Sequence, residues 1–192
     1  MHFPYVMRPT LTLGFLVAAM AFAVAARAED ASVAGNIDAH FGAGFGNIGL
    51  AAHAGIGAQA WLGEGFGIGA EAGFLEDDGI FGTKSHATYI GPTLSGRSSG
   101  GGTYLFATAG AGYVSRTVQP SLDSFCIWSP CSPTYYPSRS DSGVDLSLSL
   151  GAAFHVGAME FGPHVRAESI AGKDLVATLN IAIGAVVARG GD

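Results

Sequence analysis

The groups in this sequence able to do chemistry are six histidines, fifteen carboxylates and two cysteines. Their spacing decides what chemistry is open to them. Asp38, His40, His53, Gln59, Glu71, Asp145, Glu160, His164, Arg166 and Glu168 all occupy the polar phase of an alternating pattern. Histidines beside carboxylates in that number suit a divalent metal or a proton relay. The other reading is a hydrogen-bonded filler in which Arg166 is the one base among several acids, and this is the reading expected here. Cys126 and Cys131 bracket Ile-Trp-Ser-Pro. In an oxidising compartment they are expected to close a small disulfide loop; a zinc pair is the alternative, though no histidine lies nearby to complete four ligands. Gly44-Phe-Gly46-Asn-Ile-Gly49 spells G-x-G-x-x-G, but that fingerprint needs a helix opening on it, and here alternation continues on both sides. No G-x-S-x-G, H-E-x-x-H or Walker pattern occurs. His86, near Ser85, falls in a connection, where it is expected to be solvated.

The elements that must position these groups are strands. From Asn36 to Phe45, Asn36, Asp38, His40, Gly42 and Gly44 alternate with Ile37, Ala39, Phe41, Ala43 and Phe45, which is period two and not the helical period. Seven further runs follow: Leu50 to Trp61, Phe66 to Phe74, Thr88 to Ser95, Tyr104 to Ser115, Val144 to His155, Met159 to Glu168, and Leu175 to Arg189. One face of each is apolar, and the other is glycine, small polar or charged.

The first 28 residues read as a cleaved export signal. Arg8 precedes an uncharged run from Leu11 to Ala26, and Ala26-Arg27-Ala28 fits the small-x-small cleavage pattern. Sixteen uncharged residues fall short of the roughly 20 that a spanning helix needs. The mature part, 29–192, suits one domain. Without Arg8 and Arg27, seven Lys/Arg face fifteen Asp/Glu, a net charge of −8. That balance argues against nucleic acid, whose phosphates demand a basic face.

Thirty glycines with only 12% charged residues make a poor water-facing surface. In a small membrane barrel the two faces fall into place, apolar toward lipid and polar over glycine inside. Connections alternate in length. Gly63-Glu64-Gly65, Ser98 to Gly101 and Val156-Gly157 are short inner turns, while Glu76 to His86, Thr117 to Gly143 and Ser169 to Asp174 are longer outer ones. Gly46-Asn47 reads as a tight two-residue hairpin turn. Such turns predict registers: Phe45 opposite Ile48 and His40 opposite His53; Arg166 opposite Ser147, Asp145 opposite Glu168 and His164 opposite Ser149; and Tyr89 opposite Gly110 from a turn at Ser99-Gly100. Gly91-Pro92 and Gly162-Pro163 place prolines inside two strands, where a bulge is expected to absorb the lost ladder bond.

Signal, eight alternating runs, short inner turns and glycine-aromatic stretches such as Gly42-Ala43-Gly44-Phe45-Gly46 and Ala109-Gly110-Ala111-Gly112-Tyr113 resemble the small outer-membrane barrels of the OmpA/OmpX type. The resemblance covers the mature chain and is architectural. It implies an all-β, closed, antiparallel up-and-down transmembrane barrel of about eight strands in a Gram-negative outer membrane. Phe41, Phe45, Phe74 and Tyr113 fit an outer aromatic girdle, and Phe66, Phe154 and Phe161 an inner one. The implied partners are outer-membrane lipid, lipopolysaccharide and the barrel-assembly machinery. Some small barrels of this kind trim acyl chains and carry His and Ser close together with an orienting acid; no such set stands out here, and neither an enzymatic activity nor a cofactor is expected. The long connection 117–143 offers Phe125, Trp128, Tyr135 and Tyr136 as interaction candidates. The expected role is structural or surface-interacting, with a narrow solute channel, or a soluble exported barrel holding an apolar ligand, as alternatives.

Overall fold

A computed structural model of the chain describes residues 33–46, 49–63, 65–79, 84–98, 103–119, 121–123 and 134–188. The expected signal segment, Phe125, Trp128 and both cysteines lie outside the described residues. The strands are β1 (Val33–Gly46), β2 (Gly49–Leu62), β3 (Phe66–Gly79), β4 (Lys84–Arg97), β5 (Thr103–Val118), β6 (Ser121–Asp123), β7 (Thr134–Tyr136), β8 (Arg139–Val156), β9 (Met159–Ile170) and β10 (Asp174–Ala188). Eight of them close a barrel in the order β1-β10-β9-β8-β5-β4-β3-β2, every pair antiparallel, and β6 pairs with β7 in a separate hairpin. Closure matters because a sheet edge cannot be left unpaired in lipid.

The stagger follows from the registers. Stepping inward-facing partner to partner from Asn36 passes Gln59, Gly69, Thr93, Gly110, Ser147, Glu168 and Val176 and returns to β1 at Gly46, ten residues from Asn36. Strand number and stagger together fix the tilt, about 35–45° for barrels of this kind. Strands of 12 to 18 residues at about 3.3 Å per residue therefore outrun an apolar band about 25 Å tall.

Alternation puts the apolar phase outside. Phe41, Phe45, Phe74 and Tyr113 are exposed toward the outer end, and Phe66, Phe154 and Phe161 toward the inner end, with Ile56, Leu94, Leu148, Leu150, Val165, Leu179 and Ile181 between them. The two expected girdles are thus in place. The alternative with apolar faces inward is overturned by this arrangement.

Four expectations are corrected. First, Phe45 pairs with Leu50, and His40 with Gly55, not His53; Ser149 faces Arg166, Ser147 faces Glu168, and Gly151 faces His164; Tyr89 faces Val114, and Gly110 faces Thr93. Each register is displaced by an even number of residues, so every face assignment survives and only the opposite partner changes. For β8 and β9 the cause is visible: the turn is Gly157-Ala158 between paired Val156 and Met159, with Gly157 at φ 65°, the positive φ of a type II′ first position.

Second, no bulge sits at either Gly-Pro. Ile90↔Tyr113 and Thr93↔Gly110 keep step across Gly91-Pro92, and Phe154↔Phe161 and Gly151↔His164 keep step across Gly162-Pro163. The ladder lapses on that side alone, while Pro92 stays opposite Ala70 and Pro163 opposite Ile181. Glycine beside it lets the neighbouring backbone close in, since a Cβ at Gly91 or Gly162 would strike the carbonyl oxygen of Ala111 or Ala152.

Third, the outer connections over 76–86, 117–143 and 169–174 are partly strand. β3 and β4 pair out to Asp78↔Lys84, and β9 and β10 pair out to Ile170↔Asp174. Fourth, Arg166 is not the only interior base, because the longer β5 carries buried Arg116 inward. The G-x-G-x-x-G stretch lies across the β1–β2 hairpin, with strand on both sides.

Candidate functional site: the barrel interior

Arg166 on β9 anchors the middle of the interior. It is buried, its Nε donates to Glu168 Oε2 at 2.8 Å, and its Nη2 donates to Glu71 Oε1 on β3 at 2.5 Å. Its guanidinium also lies 4.9 Å from the centre of the Tyr89 ring, a cation–π contact strengthened by exclusion of water. Buried charge persists only when paired this fully. Asp145 on β8 is buried beside this group.

Tyr89 ties the hub to a histidine cluster. Its hydroxyl lies 2.7 Å from His53 Nε2 and 3.5 Å from His40 Nε2, while His53 Nδ1 donates to Asn180 Oδ1 at 2.8 Å. Asn180 in turn donates to Thr178 Oγ1 at 2.8 Å. His40 stacks on His53 with ring centres 5.0 Å apart, meets His164 edge-on at 5.8 Å, and reaches Asp38 Oδ1 at 3.2 Å. The Tyr89 ring fits because β2 and β3 offer glycines beneath it: a Cβ on Gly73 would meet its hydroxyl at 2.5 Å, and one on Gly55 at 2.9 Å.

Toward the outer end the interior turns apolar. Ala51, Leu75, Ala87, Val114, Ile170 and Val176 point inward and pack with Tyr89 into one buried cluster. Above them Arg116 is ion-paired with Asp174 and reaches Ser85 at 3.5 Å, and Asp77 is buried nearby on β3. Ser85 thus faces in, whereas His86 faces out, 3.6 Å from Glu76 and 2.9 Å from Gln119. The rim carries exposed pairs, Lys84–Asp78 at 3.3 Å and Lys173–Asp141 at 3.0 Å.

Toward the periplasmic end lies a cavity of about 60 Å³, lined by Asn36, Gln59, Trp61, Thr93, Tyr104 and Glu160 among others. Arg97 stacks over Trp61 at 4.3 Å and Tyr104 at 5.5 Å, and His155 pairs with Glu160 at 3.5 Å.

Of the residues singled out from sequence, Asp38, His40, His53, Glu71, Asp145, His164, Arg166 and Glu168 converge on the hub; Glu160 sits lower, against His155. Among the described residues no group of three or more His, Cys, Asp or Glu is arranged to hold a metal. Tyr135 and Tyr136 lie on β7, whose backbone pairs with β6. Sequence reasoning missed the binding role of Tyr89, the amide of Asn180, the apolar layer around Leu75 and the Arg116–Asp174 pair. The phase of Leu75, Val114 and Val176 with the polar residues was the available signal, and it was masked by the expectation of a polar interior.

The family described as outer membrane protein beta-barrel domain matches residues 11–167. No curated protein sequence matches the chain. Among solved structures, Neisserial surface protein A is similar at 10% identity with a TM-score of 0.56, over 81% of this chain and 97% of that one. Ail, the attachment invasion locus protein of Yersinia pestis, solved with the heparin analogue sucrose octasulfate, is similar at 12% identity with a TM-score of 0.50, over 80% and 97%.

Proposed function

From the premise that this chain belongs to the outer membrane protein beta-barrel domain family, we propose that it is a non-enzymatic, non-conducting barrel of the Gram-negative outer membrane. In this reading it contributes to envelope structure and presents its outer connections to the surroundings. The interior carries the reading: a barrel crossed by the Arg166–Glu71–Glu168 hub beneath an apolar layer of Leu75, Val114 and Val176 leaves no open solute path from end to end. His40 and His53 bond to Tyr89, Asn180 and Asp38, and these bonds include no serine or cysteine that an adjacent base could activate.

The interaction element in this proposal is the connection 119–138, with Phe125, Trp128, Tyr135 and Tyr136 as contact residues and Cys126–Cys131 as a covalent staple. Outer-membrane lipid and lipopolysaccharide surround the apolar belt, the barrel-assembly machinery inserts the chain, and residues 1–28 are removed on export. That Ail was solved with a heparin analogue makes sulfated glycan a sensible first probe.

Intact cells displaying the native chain, or a variant with all four aromatics changed to serine, should be applied to heparin-coated and matrix-protein-coated surfaces. The native chain should raise adhesion above that of cells lacking the protein, and the variant should return it to that level. Equal adhesion of native and variant cells would remove the connection from the proposal. External protease should cut within 119–138 and leave the barrel whole.

A further inference from the structure

The cavity on the periplasmic side holds buried polar atoms that the protein leaves unanswered. Asn36 Oδ1, Thr93 Oγ1 and His164 Nδ1 have no hydrogen-bond partner, belong to residues more than nine-tenths buried, and come from three residues that line the same space. Left dry, each such atom carries its desolvation cost with nothing to offset it. A cavity of this size has room for several waters, and it is polar enough to keep them. Gly57, Gly162 and Gly184 form part of its wall.

The charge of the lining is one-sided. Asp38, Glu71 and Glu160 face it, against Arg166 as the fixed cation. Glu71 is matched by Arg166, whereas Asp38 meets His40, and Glu160 meets His155 and the Tyr104 hydroxyl. Trp61, Tyr104 and Phe106 supply aromatic faces, and Arg97 at the rim already rests a guanidinium on two of them. Access is from below, where His155 and Glu160 retain partial exposure. Above, Tyr89, His53, Asn180 and then Leu75, Val114 and Val176 are all buried.

We propose that the periplasmic half of the barrel is a water-filled vestibule that admits small cations from the periplasm and ends blind at the Arg166–Tyr89 hub. Asn36, Thr93 and His164 are the groups that bind its water, and Asp38 and Glu160 set its charge preference.

Thiol labelling tests this in the folded, full-length mature barrel with Cys126→Ser and Cys131→Ser as background. Thr93→Cys reports the vestibule and Val114→Cys the seal, with heat-modifiable gel migration confirming that each is folded. Aminoethyl methanethiosulfonate, a cation, should modify Thr93→Cys about ten-fold or more faster than its sulfonatoethyl counterpart, an anion, once each rate is referred to a free thiol. Val114→Cys should stay unmodified over the same interval. No labelling at Thr93→Cys, faster labelling by the anion, or equal labelling of both positions overturns the proposal. Thr93→Val gives a reading without labels. It should lower the unfolding midpoint, because a water-bonded hydroxyl is lost; a raised midpoint means that the hydroxyl was dry and contradicts the vestibule.

Discussion

The two ends of the barrel interior are built on opposite principles. Beneath the outer rim, Leu75, Val114, Ile170 and Val176 exclude water by packing. On the periplasmic side of the hub a cavity remains, with unanswered polar atoms in its lining. Between them Arg166 holds Glu71 on β3 and Glu168 on its own strand, drawing opposite walls together. The difference teaches that alternation decides only which side of the sheet a residue takes. Whether the inside is sealed or hollow depends on side-chain volume at each level.

The sharpest way to break this arrangement is Arg166→Met. It leaves Glu71 and Glu168 buried without their counter-charge, and loss of about 3–5 kcal/mol is expected, read as a fall in urea midpoint and loss of the heat-modifiable band. Next, Leu75→Ala should cost about 2–4 kcal/mol by opening a cavity in the seal, whereas Phe106→Leu, beside existing space, should cost less than about 1.5 kcal/mol. Equal losses would erase the contrast between the two halves. Gly73→Ala places a methyl against the Tyr89 hydroxyl, and about 1–3 kcal/mol is expected from overpacking; Tyr89→Phe in the same chain should recover part of it, and no recovery would move the conflict to the Ala54 carbonyl or the ring carbon Cζ, which that Cβ also meets. Smallest of all, Lys173→Ala at the exposed rim should change stability by less than about 1 kcal/mol, measured by the same titration.

The outside of the molecule was legible because lipid imposes one demand on every outward position. Phe41, Phe74, Phe154 and Phe161 could therefore be placed from period two alone. The set of inward residues was legible for the same reason, and Asp38, His40, His53 and Arg166 do meet. Their partners were not legible. A shift of two residues in a hairpin preserves every face yet moves His53 from opposite His40 to opposite Gly42, and stacking of the two rings is recovered only diagonally. Pairing across distant strands, such as His53 with Asn180 or Arg166 with Glu71, depends on the stagger accumulated round the whole barrel, which no local pattern contains. Strand ends were underestimated because Glu76, Asp77 and Arg116 look like loop residues, although they continue the ladder.

Single-channel recording in planar bilayers tests the sealed interior most directly. Folded wild-type barrel, its insertion confirmed by heat-modifiable migration, should show no unitary current steps at either polarity. Discrete steps from the wild type would contradict the seal formed by Leu75, Val114 and Val176 over the Arg166 hub.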